Sequence, residues 1–102
     1  MSAPQLDITW DVTKAESNLT KHGVNFAQAA TVLLDPLAVT VFDATHSQHE
    51  ERWFTLGSAN DGALLAVAHT YQTTDLNRIQ ARIISARPAT RTERQQYQTE
   101  PR

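Results

Sequence analysis

The sequence predicts an α+β domain: one compact antiparallel sheet of about five strands, with two N-terminal helices and a short C-terminal helix on one side of it. Three observations lead there. Helical spacing of apolar residues is confined to two stretches before residue 35, whereas strand-like runs follow one another from residue 37 onward. The later runs are separated by short turn signals, above all Asn60-Asp61-Gly62, which favour antiparallel neighbours. Finally, Pro88 followed by Thr90-x-x-Glu93 marks a strand stop and a fresh helix start.

In chain order, Leu6–Trp10 alternates apolar and polar residues as a short strand, and Asp11 stands where a helix N-cap belongs. The helix Val12–His22 places Val12, Ala15 and Leu19 on an apolar stripe, and Lys14, Asn18 and Lys21 on a second one. Gly23 is the expected left-handed C-cap. Asn25 caps a second short helix whose Phe26, Ala29, Ala30 and Leu33 suit packing on a sheet, and Asp35-Pro36 ends it. Leu37–Asp43, Arg52–Gly57 and Ala63–Tyr71 are strands, with a polar loop at Ala44–Gln48 and turns at Asn60–Gly62 and Thr73–Leu76. In the last strand Ile79, Ala81 and Ile83 alternate with Gln80 and Arg82, and the added Ile84 suggests a central position. Pairing is expected to stop at Pro88, and a capped helix to run over Arg91–Gln98.

The 102 residues amount to a single domain, 1–102, with ordinary globular composition. No apolar run approaches the ~20 residues that span a bilayer. The N-terminal stretch lacks the basic start and apolar region of a signal peptide, so a cytoplasmic protein is expected. The absence of cysteine excludes disulfides, thiol catalysis and cysteine-ligated zinc.

A net charge of −2 conceals a polarised chain. Residues 1–51 hold two lysines against seven carboxylates, while residues 52–102 hold seven arginines against four. Five of those arginines (Arg78, Arg82, Arg87, Arg91 and Arg94) fall within Arg78–Arg94, opposed there by Glu93 alone. Guanidiniums on a strand end and the adjoining helix suit bidentate phosphate contacts, although the same pattern also describes a solvated basic face.

His22, in the last turn of the first helix, reads either as a phosphate contact or proton-transfer group, or as a half-buried histidine satisfying the helix end. His46 and His49, with Glu50 and Glu51, invite a metal reading. Their place between strands and the lack of a second ligand cluster argue against it, so neither metal nor cofactor is expected. Glycine-rich phosphate loops and dinucleotide fingerprints are absent, and the remaining Lys, His, Arg, Glu and Tyr inventory suits metal-free RNA cleavage.

These residues assemble into a pattern that resembles the BrnT family of bacterial toxins. It comprises Trp10-Asp11-x-x-Lys14, Asn18, Lys21-His22-Gly23-Val24-x-Phe26, Asp35-Pro36, His46-Ser47-x-x-Glu50-Glu51-Arg52-Trp53, Arg82-Ile83-Ile84-Ser85-Ala86-Arg87 and Thr90-x-x-Glu93-Arg94-x-x-Tyr97, covering about Ile8 to Tyr97. The resemblance implies a RelE-like fold and a type II toxin that cleaves RNA without metal and arrests translation. It further implies a BrnA-type antitoxin partner, through which the complex would reach operator DNA. Carried onto this chain, it makes Arg82 and Arg87 the phosphate-binding pair, His22 the candidate general acid or base, and Lys21 and Arg52 electrostatic supports. Lys14, Arg91, Arg94 and Tyr97 become RNA contacts, with Tyr97 also able to pin the last helix. A non-catalytic module that docks the antitoxin as co-repressor is the competing expectation.

Overall fold

In the computed structural model, residues 5–100 are described; the first four residues, part of the stretch read above as lacking a leader, and the last two lie outside that span. The elements run β1 (Gln5–Trp10), α1 (Val12–His22), α2 (Phe26–Val32), β2 (Val39–Phe42), β3 (Arg52–Ser58), β4 (Leu64–Asp75), β5 (Arg78–Pro88) and α3 (Arg91–Thr99). The sheet order is β1-β5-β4-β3-β2. No helix among the described residues is long and apolar enough to cross a membrane.

Local signals set the element ends as expected. Asp11 accepts from the Lys14 N–H, Asn25 from the Gln28 N–H, and Gly23 adopts φ 70° at the α1 C-cap. Thr90 and Glu93 form a full capping box on α3. Gly62, at φ 88°, closes the β3–β4 turn with its N–H on the Ala59 carbonyl.

Several expectations change. The sheet is antiparallel from β2 to β5, but β1 pairs β5 in parallel, because α1 and the rest of the chain separate the two strands. The β4–β5 turn is only Leu76-Asn77, so β4 extends to Asp75, four residues beyond the expected end. Strand β5 does end at Pro88 as expected, its last pair being Leu65–Pro88, with one further backbone bond beyond it. Ala89 donates to the Leu64 carbonyl at 2.9 Å, so the neighbouring Leu65–Pro88 pair is a non-hydrogen-bonded one, and the missing N–H points away from β4.

The helices are not all on one side. Val24 and α2's Phe26, Ala29 and Val32 join Leu65, Val67, Ile83 and Ala86 in the core on one face. Helix α3 lies across the other, where Glu93, Gln96 and Glu100 share a groove with Val39, Val41, Phe54 and Leu56. Tyr97 ties α3 down, its hydroxyl donating to Asp35 at 2.7 Å. Gly57 has no room for a side chain, since a Cβ there would sit 3.0 Å from Val32 and 3.1 Å from Asp35.

Helix α1 departs most from its amphipathic reading. Val12 and Leu19 are 68% and 50% exposed, and the buried residue is Asn18. The register explains why. Strand β1 ends opposite Ile83, leaving the next stretch of β5 without a neighbour on that side. Asn18 takes the strand's place: Ala86 donates to Asn18 Oδ1 at 3.0 Å, and Asn18 Nδ2 donates to the Ala86 and Val24 carbonyls at 2.8 and 2.9 Å. A buried backbone edge needs partners more than this helix needs an apolar contact.

Candidate active site

A bulge decides what the last strand presents. Ala68 pairs with Ser85 and His69 with Ile83, so Ile84 has no partner and β5 carries one extra residue. Arg82 and Arg87, five apart, would point to opposite faces of a regular strand. The extra residue shifts the parity, and both now lie on the face opposite α1 and α2. Arg82 sits in register with Thr70 and Arg52, and Arg87 with Ala66 and Leu56. The Arg87 guanidinium stacks over Phe54 at 5.2 Å, which places it on that face.

The three arginines of this face differ in their partners. Arg82 Nη2 donates to both oxygens of Glu50, at 2.6 and 2.7 Å. Arg87 forms a two-pronged contact with Glu93, at 2.7 and 3.0 Å. Glu93 thus serves the capping box and the arginine together. Arg52 has no carboxylate partner among the described residues, and its Nε is buried without a hydrogen bond.

The cavity beside Arg52, about 320 Å3, is lined by Thr45, His46, Gln48, His49, Glu50 and Arg52. Its loop is rooted at both ends. Asp43 donates its N–H to the Arg52 carbonyl at 2.8 Å, and the Ser47 hydroxyl accepts from the Arg52 N–H at 3.0 Å. Within the loop, His46 Nδ1 lies 2.9 Å from Asp43 Oδ2. Among the described residues no three His, Cys, Asp or Glu side chains are grouped so as to hold a metal ion.

The other candidates separate from this face. Lys14, Lys21 and His22 line a groove at the α1–β5 seam together with Ser17, Asn18, Ile84 and Ser85. Ser85 links the two regions, because the register puts it on the arginine face between Arg82 and Arg87. Arg91 and Arg94 are exposed on α3. Tyr97 is engaged with Asp35. Ser85 and the second use of Glu93 were not expected from sequence; both follow from the bulge, which leaves no composition signal.

Opposite the site, His69 is fully buried, with Nε2 2.6 Å from the Thr55 hydroxyl and that hydroxyl 2.8 Å from Thr40. Burial lowers its pKa from the ordinary 6.5. The Arg87 guanidinium lowers Glu93 from 4.5 to about 2. Both shifts make stability fall on acidification, in separate windows. Below pH 6.5 the unfolded chain binds a proton at His69 that the folded chain resists, so stability is complete above 6.5 and declines beneath it. The Glu93 contribution is complete above 4.5 and is lost as pH falls through about 2. Urea midpoints measured from pH 8 to pH 3 are expected to be level and then fall in two stages. The first stage should be missing in His69→Gln and the second reduced in Glu93→Gln; a midpoint that rises on acidification would contradict both assignments.

Comparison with known proteins follows the same outline. A family model described as "Ribonuclease toxin, BrnT, of type II toxin-antitoxin system" matches residues 10–93. The crystal structure of the Brucella abortus ribonuclease toxin BrnT superposes with a TM-score of 0.59 at 24% identity, covering 85% of this chain and 100% of the other, a likeness of fold. None of the curated proteins compared matches the chain.

Proposed function

The chain belongs to the BrnT family of ribonuclease toxins of type II toxin–antitoxin systems, and on that premise we propose that it is an endoribonuclease that cuts RNA without a metal ion and so halts translation in the cytoplasm. The observation that carries this reading is the gathering of Arg52, Arg82 and Arg87 on one face of the sheet by the Ile84 bulge.

In this scheme the ribose 2′-hydroxyl attacks the adjoining phosphate. The arginines hold the charge that grows on the phosphate oxygens, where preorganised donors act most strongly. Lys14, Lys21 and His22, reached past Ser85, take the neighbouring RNA backbone, and Arg91 and Arg94 extend that track along α3. Glu50 and Glu93 hold Arg82 and Arg87 in place until phosphate competes for them. A BrnA-type antitoxin would occlude this surface and bring operator DNA to the complex. The uncovered Val12 and Leu19 of α1 supply apolar area for such a protein partner.

The neutralisation of Arg82 and Arg87 by carboxylates also supports the second reading, a non-catalytic co-repressor module. Expression in a bacterial host, with and without the neighbouring open reading frame, separates the two. Growth arrest with fragmented transcripts, relieved by the neighbour, is the expected result. RNA cleavage by the purified chain should persist in a chelator. Normal growth with intact RNA at high soluble expression would favour the module.

A further inference from the structure

We propose that the loop between β2 and β3 holds the proton-transfer half of the active site: His46, oriented by Asp43, accepts the 2′-hydroxyl proton of an RNA whose phosphate rests on Arg52. The inference depends on the ribonuclease reading above and adds to it a catalytic residue and a positioning residue.

Arg52 is the starting point. Its Nε is buried with no partner, which is uncommon for so strong a donor, and its guanidinium meets no carboxylate among the described residues. A phosphate oxygen at the cavity wall meets the guanidinium charge that no carboxylate neutralises, although the Nε itself lies buried behind that wall. Arg82 and Arg87, by contrast, would first have to give up Glu50 and Glu93.

His46 lines the same cavity. Its Nδ1 lies 2.9 Å from Asp43 Oδ2, with the carboxylate 21% exposed and the imidazole 64% exposed. That contact fixes the proton on Nδ1 and turns the lone pair of Nε2 outward, the arrangement a general base requires. The backbone bond from Asp43 to Arg52 and the Ser47 bridge close the loop between Asp43, which orients the imidazole, and Arg52, with His46 lying inside it. His22, at the α1–β5 seam, shares no cavity with Arg52.

The step balances without a co-reactant. The 2′-oxygen gives its proton to His46 Nε2 and bonds to phosphorus. The P–O5′ bond breaks, the leaving 5′-oxygen takes a proton from water, and the hydroxide so formed takes the proton from His46, which returns the base and the water. The products are a 2′,3′-cyclic phosphate and a 5′-hydroxyl. Imidazolium formed in the step is stabilised by Asp43, while His49, Glu50 and Arg52 are the other ionisable groups lining the cavity.

The test uses the purified full chain and a defined messenger transcript. His46→Ala is expected to lower kcat by about 10²–10⁴-fold with KM little changed, and added imidazole to restore part of the rate. Asp43→Asn should lower kcat with KM little changed, and Asp43→Glu should restore part of the rate. A loop merely disordered by the substitution would raise KM as well, because Arg52 is rooted in the same loop. His22→Ala should act mainly on KM. Wild-type cleavage with His46→Ala retaining kcat within about threefold would overturn the proposal and leave the toxin reading standing. A wild-type chain that does not cut the transcript would remove both.

Discussion

Arg82→Ala is expected to reduce RNA cleavage by about 10²–10³-fold, the usual loss when one preorganised donor to a developing oxyanion is removed. It should do so with little change in stability. Its side chain is 38% exposed and that of Glu50 45%, so their ion pair counts for at most ~1 kcal/mol. The outcome is read by purifying the variant, measuring cleavage of the same transcript, and comparing thermal melts. Arg82→Lys should recover only part of the rate, because an ammonium lacks the planar fork that takes two phosphate oxygens. A variant that cleaves as fast as wild type would remove Arg82 from the site. Inactivity accompanied by a collapsed melting temperature would instead assign it a structural role. Arg87→Ala is a poorer probe, since it also strands Glu93, whose carboxylate anchors both Arg87 and the N-terminus of α3.

The largest expected loss of stability comes from Asn18→Leu. This substitution keeps the branched side-chain skeleton but leaves the Ala86 N–H, the Ala86 carbonyl and the Val24 carbonyl without their partner. Each buried group left unpaired costs about 1–3 kcal/mol, and the three share one site, so a combined loss of roughly 3 kcal/mol is reasonable. For a domain of this size that corresponds to a fall in Tm of roughly 12–24 °C. Asn18→Asp should fare little better, because a carboxylate can accept from Ala86 but must then face two carbonyl oxygens. A Tm within about 2 °C of wild type would show that water or a shifted α1 replaces the amide. The same change should disturb activity, as Ala86 lies between Ser85 and Arg87 and its backbone sets the direction of both.

What the sequence determined by itself is local. The Asp11, Asn25 and Thr90 caps, the Gly23 and Gly62 positions, and the strand periods follow from side chains acting on their own backbone within a few residues. Those signals suffice for the order of elements and for an arginine-rich end of the chain. The family pattern brought the ribonuclease expectation, again through residues close together in sequence. Tertiary structure alone decided the rest. Val12 and Leu19 have the spacing of a buried stripe, yet the open edge of β5 needed hydrogen bonds, and α1 turned Asn18 inward to supply them. Pro88 reads as a stop and the strand does end there, but that it still pairs with Leu65 depends on its falling where the ladder requires no donor. Above all, whether Arg82 and Arg87 share a face depends on whether one residue between them is bulged. Side-chain direction in a strand has a period of two, so a single unpaired residue reverses everything beyond it. That choice is made by register against β4, a neighbour whose pairing no local signal in Arg78–Pro88 encodes.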